Sequence, residues 1–357
     1  MRVSLGVLRA ISFYNFARAK FLLFWGDYVI KLEETFMNFL LEHQMKNSRT
    51  LNFIILMEQI LNAAKSIQHY YNLSAISDNI GEVGEINVQG EKVMKLDRIS
   101  HDLVLHGLRE SKQVMEVTSE EEEEAIRLNK DGRYFLYIDP LDGSSNIKHS
   151  LPVGFLFGIA KRNLDGEEDY SLRAGNEFIA SGMFMIPSGI FTFALRDGGC
   201  WRFLLSESGQ YVRPRRVVMP ESPKSWELSY NVANLSSYPD EVQGWLNAKT
   251  SDFAFRYAGS LAVDFHRLLN NGGMFLYPPI VQHKDPKKNR PDGKLRLMYE
   301  CAVVALLARE AGGFAVDHKG NPVLDVVPQN RHQRSGIYVG STSVVKDIQA
   351  TILKANS

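Results

Sequence analysis

Cysteine is scarce in this chain: two residues, Cys200 and Cys301, among 357. Two distant thiols build no disulfide scaffold and fit no zinc-ligand spacing, so a reducing, cytoplasmic setting is expected. Net charge is missing as well, because 41 Lys+Arg stand against 41 Asp+Glu. That balance removes the whole-molecule positive field that binding to nucleic acid or an anionic membrane needs, and neither partner is expected. Charge chemistry therefore has to be local. There is no internal repeat, and the one low-complexity tract is the run Glu120 to Glu124. What is present, 45% hydrophobic and 23% charged residues, is ordinary for a globular protein. The length points to roughly two domains of ~150 residues.

Acidic residues are absent from Met1 to Gly26, which carries Arg2, Arg9, Arg18 and Lys20. Arg9, Asn15, Arg18 and Lys20 interrupt its apolar runs too often for a spanning helix or a secretory signal core. An organelle transit sequence and a plain amphipathic extension both fit this composition, and both readings stay open.

From Glu33 the pattern is helical, with Phe36, Phe39 and Leu40 on one face. A second helix is expected over about Leu51 to Tyr71, where Phe53, Met57, Ile60, Ala64 and Ile67 recur at three- and four-residue steps. Gly81, Gly84 and Gly90 punctuate a loop before a third helix, Lys92 to Ser111. Strand signals follow at Val114–Val117, Tyr134–Ile138, Phe155–Ala160, Phe178–Ile186 and Ile190–Leu195, with hairpin turns at Pro187-Ser188-Gly189 and around Ser208-Gly209. A domain boundary is placed between Arg213 and Pro223, where prolines and a loss of apolar periodicity coincide. Beyond it, helices are expected at Asp240–Leu246, Leu261–Leu269, Leu297–Ala311 and Val344–Lys354, and strands at Phe314–Val316 and Ile337–Val339.

The segment richest in chemistry is Asp139-Pro140-Leu141-Asp142-Gly143-Ser144-Ser145-Asn146. It follows a buried strand ending at Ile138, where α/β folds present ligand sites. Pro140 fixes its own φ and biases Asp139 toward extended backbone, so that Asp139 and Asp142 can share one space. Two carboxylates and the Leu141 carbonyl suit a hard divalent cation such as Mg²⁺ or Mn²⁺. Gly143 and the two serines offer the close-approaching N–H groups of a phosphate-holding turn. Upstream, Glu120 and Glu121 end another strand and pair naturally as metal ligand and base. A glutamate run is more often a solvated face, and Glu122 to Glu124 read that way. Glu300 falls near a helix start, while Lys294 and Arg296, taken alone, fit an ordinary edge strand.

Together these motifs resemble class I fructose-1,6-bisphosphatase, within the lithium-sensitive, metal-dependent sugar-phosphatase superfamily. The resemblance runs from about Glu33 to Thr351. It rests on Gly90-Glu91, Lys95-Leu96-Asp97, Ser119-Glu120-Glu121, the block Asp139 to Asn146, Arg256-Tyr257-Ala258-Gly259-Ser260, Gly272 to Pro278, and Lys294 to Glu300. The Asp-Pro-Leu-Asp-Gly string marks only the superfamily. The Lys-Leu-Arg-Leu-x-Tyr-Glu and Arg-Tyr-x-Gly-Ser strings are more specific.

The resemblance implies an α/β fold, layered αβαβα, of two αβ domains: an extension over 1–32, an N-terminal domain over 33–216 and a C-terminal domain over 217–357. It implies a homotetramer that hydrolyses the 1-phosphate of fructose 1,6-bisphosphate. Two or more Mg²⁺ ions per subunit, with Mn²⁺ as a substitute, would be held by Glu120, Glu121, Asp139, Asp142, Glu300 and the Leu141 carbonyl. Glu121, Asp97 and Glu91 would lie near the attacking water. Asp142, Gly143, Ser144 and Ser145 would meet the departing phosphate. Asn231, Tyr257, Tyr277 and, from a neighbouring subunit, Arg256 would hold the 6-phosphate, and Lys294 the sugar.

Two departures accompany the match. Val232-Ala233-Asn234 follows Asn231 where the family usually has Glu-Gly and a variable residue. The stretch that binds AMP phosphate in the family is not recognisable between Met45 and Leu51, although Arg133-Tyr134 and Lys161 resemble other members of that site, so weak or absent AMP inhibition is expected. Sedoheptulose 1,7-bisphosphate is the rival substrate. An inositol monophosphatase has no use for Arg256 and Lys294, and a silent sugar-phosphate sensor would be expected to lose an acidic ligand that this chain keeps.

Overall fold

The computed structural model describes residues 22–25, 28–31, 34–44, 50–74, 82–86, 92–163, 171–221 and 226–357. Most of the basic leader, Glu91 and residues 45–49 lie outside the described residues.

Three helices open the main body: α1 (Phe36–Gln44), α2 (Thr50–Ser74) and α3 (Lys95–Ser111). The third begins later than its periodicity suggests, because Lys92–Met94 forms a short strand paired with Glu82–Ile86. The glycine-punctuated loop therefore contains a β-pair. An eight-stranded sheet follows: β1 (Val114–Ser119), β2 (Ile126–Arg127), β3 (Tyr134–Asp142), β4 (Val153–Lys161), β5 (Phe178–Ile186), β6 (Ile190–Leu195), β7 (Gly199–Leu205) and β8 (Tyr211–Val217). Its order is β8-β7-β6-β5-β4-β3-β1-β2. Only the β1–β3 pair is parallel. Both expected hairpins form, β5–β6 and β7–β8. The stretch from Arg213 to Arg216, where the expected boundary begins, belongs to edge strand β8, a position that tolerates Pro214.

A second sheet combines β9 (Trp226–Ser229), β10 (Phe253–Phe255), β11 (Gly273–Tyr277), β13 (Phe314–Asp317) and β15 (Ile337–Gly340). Its order is β10-β9-β11-β15-β13. A small pair, β12 (Leu295–Arg296) with β14 (Arg334–Ser335), lies beside it. The helices of this half are α4 (Asp240–Lys249), α5 (Leu261–Asn271), α6 (Ala302–Glu310) and α7 (Thr342–Ala355).

Alternation along the strands decides the layering. On β3, Leu136 and Ile138 enter the core shared with α1, α2 and α3, whereas Phe135 and Tyr137 enter the core shared with α5 and α6. On β11, Phe275 and Tyr277 face that same middle layer, while Met274 and Leu276 join α4 and α7 in the outer one. The result is helix, sheet, helix, sheet, helix. In the first core Phe36 stands edge-on to Phe191, Phe193 and Phe203 at 5.2, 5.1 and 5.0 Å. Burying one such ring contributes about 2–3 kcal/mol. Among the described residues no helix is long and apolar enough to cross a membrane.

Candidate active site

The β3 strand does not stop at Ile138 but runs on through Pro140 to Asp142. Proline has no N–H for the ladder, and the register slips there, with Asp139 opposite Leu156 and Asp142 opposite Gly154. Asp139 folds back locally, its Oδ1 accepting from the Leu141 N–H at 3.0 Å. The bulge thus keeps both carboxylates on a rigid strand rather than on a free loop.

Glu300 arrives from the other half. The segment expected to open a single helix is a π-turn, Leu297–Cys301, before α6 takes over. Such wide turns have no simple residue signature and cluster at functional sites. Glu300 Oε2 accepts from the Arg296 N–H at 2.6 Å. Carboxylate oxygens of Asp139, Asp142 and Glu300, all buried, lie within 4.8 Å of one another.

Their ionisation reflects the crowding. Burial, then the charges of Glu120, Asp142 and Glu300, holds the Asp139 carboxyl well above its ordinary value. Burial and Glu120 do the same to Glu300, against a smaller opposing pull from Arg296. Burial also raises Asp142, opposed by the Ser260 hydroxyl, the Ala262 and Leu261 N–H groups and Lys294. Glu121 is pushed up to about 8 by burial, Asp97 and Glu120. Hard oxygen donors at this spacing fit a divalent cation, whose charge would remove the mutual repulsion.

One cavity of about 220 Å³ gathers most of the expected residues: Asp97, Glu120, Glu121, Asp139, Leu141, Asp142, Gly143, Ser144, Ser145, Tyr257, Tyr277, Lys294 and Glu300 line it. Asp97 sits in the first turn of α3 and Glu120 directly after β1, its N–H bonded to the Ile138 carbonyl at 3.1 Å. Gly143, at φ 81°, caps the 3₁₀ turn Ser144–His149. Asn146 then donates to the Ala258 carbonyl at 3.1 Å, tying this turn to the loop that carries Arg256 and Tyr257. Asp264 fixes the same loop by accepting from the Ala258 and Gly259 N–H groups at 2.9 and 3.2 Å.

Two expected residues stand off the cavity wall. Arg256 is exposed and donates to the Phe255 carbonyl. Asn231 caps a 3₁₀ turn, its Oδ1 accepting from the Ala233 N–H at 3.1 Å. Glu122, read as solvated, is half-buried and paired with Arg98 at 3.3 Å, while Glu123 and Glu124 are exposed.

Sequence reasoning missed the part played by Ser260. This N-cap of α5 gives its hydroxyl to Asp142 Oδ2 at 2.5 Å, and the Ala262 and Leu261 N–H groups complete the carboxylate's shell at 2.7 and 3.2 Å. A serine heading an apolar helix was the available signal.

Comparison with known proteins agrees across both halves. A family model described as fructose-1-6-bisphosphatase, N-terminal domain, matches residues 34–215, and one for the C-terminal domain matches residues 219–353. The chain is 54% identical over 331 residues to a protein of Syntrophus aciditrophicus named fructose-1,6-bisphosphatase class 1, covering 91% of this chain and 99% of that one. A protein of the same name from Cytophaga hutchinsonii is 35% identical over 313 residues, covering 83% and 88%. The solved holo form of Leishmania major fructose-1,6-bisphosphatase superposes with a TM-score of 0.81 at 28% identity, over 90% of this chain and 99% of that one.

Proposed function

The chain belongs to the class 1 fructose-1,6-bisphosphatase family, and from that membership we propose how its residues divide the work. It is a phosphoric monoester hydrolase of carbohydrate metabolism that converts D-fructose 1,6-bisphosphate to fructose 6-phosphate and phosphate.

In this reading Glu120, Glu121, Asp139, Asp142, Glu300 and the Leu141 carbonyl hold two or more Mg²⁺ ions, with Mn²⁺ as a substitute. Bound ions supply the positive charge that eases deprotonation of the attacking water and offsets charge on the leaving oxygen. Asp97 and Glu121, with Glu91, flank the attacking side and orient the water. Gly143, Ser144 and Ser145 hold the departing phosphate. Tyr257 and Tyr277, the amide nitrogen of Asn231 and Arg256 of a neighbouring subunit hold the 6-phosphate, and Lys294 meets the sugar. Anchoring the distal phosphate lowers the entropic cost of aligning the reacting one. Assembly as a homotetramer is part of the same reading, and an exposed Arg256 that does not line the cavity of its own chain is compatible with it. The buried free thiols Cys200 and Cys301 suit a cytoplasmic enzyme.

One observation carries this reading: a single cavity is walled at once by the acidic cluster, the turn at 143–145, and Tyr257, Tyr277 and Lys294. The test is phosphate release from fructose 1,6-bisphosphate with Mg²⁺, without it and after EDTA. Activity should require the ion, and Asp142→Ala should lower kcat on the order of a thousandfold. Turnover that survives EDTA, or survives that substitution, would sink the assignment.

A further inference from the structure

His332 joins two segments that supply carboxylates from opposite halves of the molecule. Its Nε2 lies 3.0 Å from the carbonyl oxygen of Glu123, and its Nδ1 lies 3.0 Å from the hydroxyl of Tyr299. A carbonyl can only accept, so Nε2 carries the proton and Nδ1 accepts from the tyrosine. One neutral tautomer satisfies both bonds. Glu123 follows Glu120 and Glu121 by three and two residues, while Tyr299 is fully buried in the π-turn beside Glu300.

The segment bearing His332 is itself fixed to that turn. The Leu297 N–H donates to the Gln333 carbonyl at 2.8 Å, and β12 pairs with β14. Next to it, Arg331 reaches the Glu124 carboxylate at 3.4 Å and Glu116 at 4.0 Å. The N–H groups of Glu120 and Glu121 bond to the Ile138 carbonyl and the Ser119 hydroxyl, both in the first half. His332 does not itself line the cavity.

We propose that His332 is a positioning residue for the hydrolysis: it tethers the backbone of the loop 120–124 to the Tyr299–Glu300 turn, so that carboxylates from both halves meet one cation at a fixed spacing. This rests on the metal-dependent reading above. Residues that hold metal ligands in place typically change metal affinity 10- to 100-fold when removed.

The test compares the full-length parent with His332→Ala, His332→Gln and Tyr299→Phe. Direct binding of Mn²⁺ should weaken about tenfold in His332→Ala, recover in large part in His332→Gln, which keeps a donor and an acceptor, and weaken about threefold in Tyr299→Phe. Amides of residues 120–124 in the metal-free protein should exchange hydrogen about tenfold faster in His332→Ala. KM for the bisphosphate at saturating Mg²⁺ should stay within about twofold. Unchanged Mn²⁺ affinity together with unchanged exchange at 120–124 overturns the proposal. If His332→Ala does not fold, Tyr299→Phe decides, and parent-like behaviour in it overturns the tether. Failure of the parent to bind Mn²⁺ refutes the metal reading instead, and the exchange comparison then judges the tether on its own.

Discussion

Ser260, 118 residues beyond Asp142, donates its hydroxyl to that carboxylate at 2.5 Å and caps α5 with the same oxygen, which accepts from the Val263 N–H at 3.3 Å. One small side chain thus joins the strand that carries Asp139 and Asp142 in the first half to a helix of the second. The N-terminal end of α5 adds two N–H donors to the same carboxylate, where its dipole favours a negative charge.

Ser260→Ala should therefore separate two effects. Losing the cap costs about 1–2 kcal/mol of stability, visible as a lower urea midpoint. Losing the bond to Asp142 should raise the Mg²⁺ concentration for half-maximal activity about tenfold. A variant that is less stable but keeps the parent's Mg²⁺ dependence would show that Ser260 acts on the helix alone.

Gly143 sits against the same serine. A Cβ there would lie 2.4 Å from Ser260 Cβ and 2.9 Å from its Oγ, and the φ of 81° already disfavours any other residue. Gly143→Ala should cost about 2–4 kcal/mol. Displacement of the 143–145 turn should also lower kcat about 100-fold. Denaturant unfolding and phosphate release check the two figures, and parent-like values in both would mean that the turn shifts without consequence.

These contacts mark where sequence reading reaches its limit. Asp139, Asp142 and the turn after them were legible because a proline between two carboxylates and a glycine directly after them constrain the local geometry. The layered arrangement was legible from the run of helices followed by short branched strands. Glu300 was named, but its delivery by a π-turn was not, since an i→i+5 step has no periodicity to detect over five residues. Glu122 was read as solvated because its partners Arg98 and His101 come from α3, a helix whose position over the sheet is a tertiary outcome. Ser260 was visible as a helix cap, but its hold on Asp142 spans two sheets and no local pattern announces it.

His266 offers a pH test away from the acidic cluster. Burial, and secondarily Arg202, lowers its pKa to about 4, and its Nδ1 is buried without a hydrogen-bond partner among the described residues. Above pH 6.5 the ring is neutral folded or unfolded, so stability is unaffected. Below it the unfolded chain takes up the proton first, and stability falls as pH drops from 6.5 toward 4. At pH 5 the loss amounts to roughly 2 kcal/mol. In His266→Gln, urea unfolding at pH 7 and pH 5 should show a drop smaller by about that amount, and an equal drop in both proteins would refute the assignment.

The last prediction concerns assembly. Arg256 is exposed, its backbone held by Arg267, which donates to the Arg256 carbonyl at 3.1 Å, and it does not line the cavity of its own chain. If it completes a neighbour's site, each site needs Asp142 from one subunit and Arg256 from another. Arg256→Ala alone should raise KM at least about tenfold, because a phosphate loses its charged partner. Asp142→Ala alone should be inactive. When the two variants are co-refolded, random pairing places an intact Asp142 beside an intact Arg256 in about a quarter of the sites, and the mixture should regain low-KM turnover to that extent. A mixture no better than the average of its components would show that Arg256 serves its own subunit, and that the distal phosphate is held without help from a neighbour.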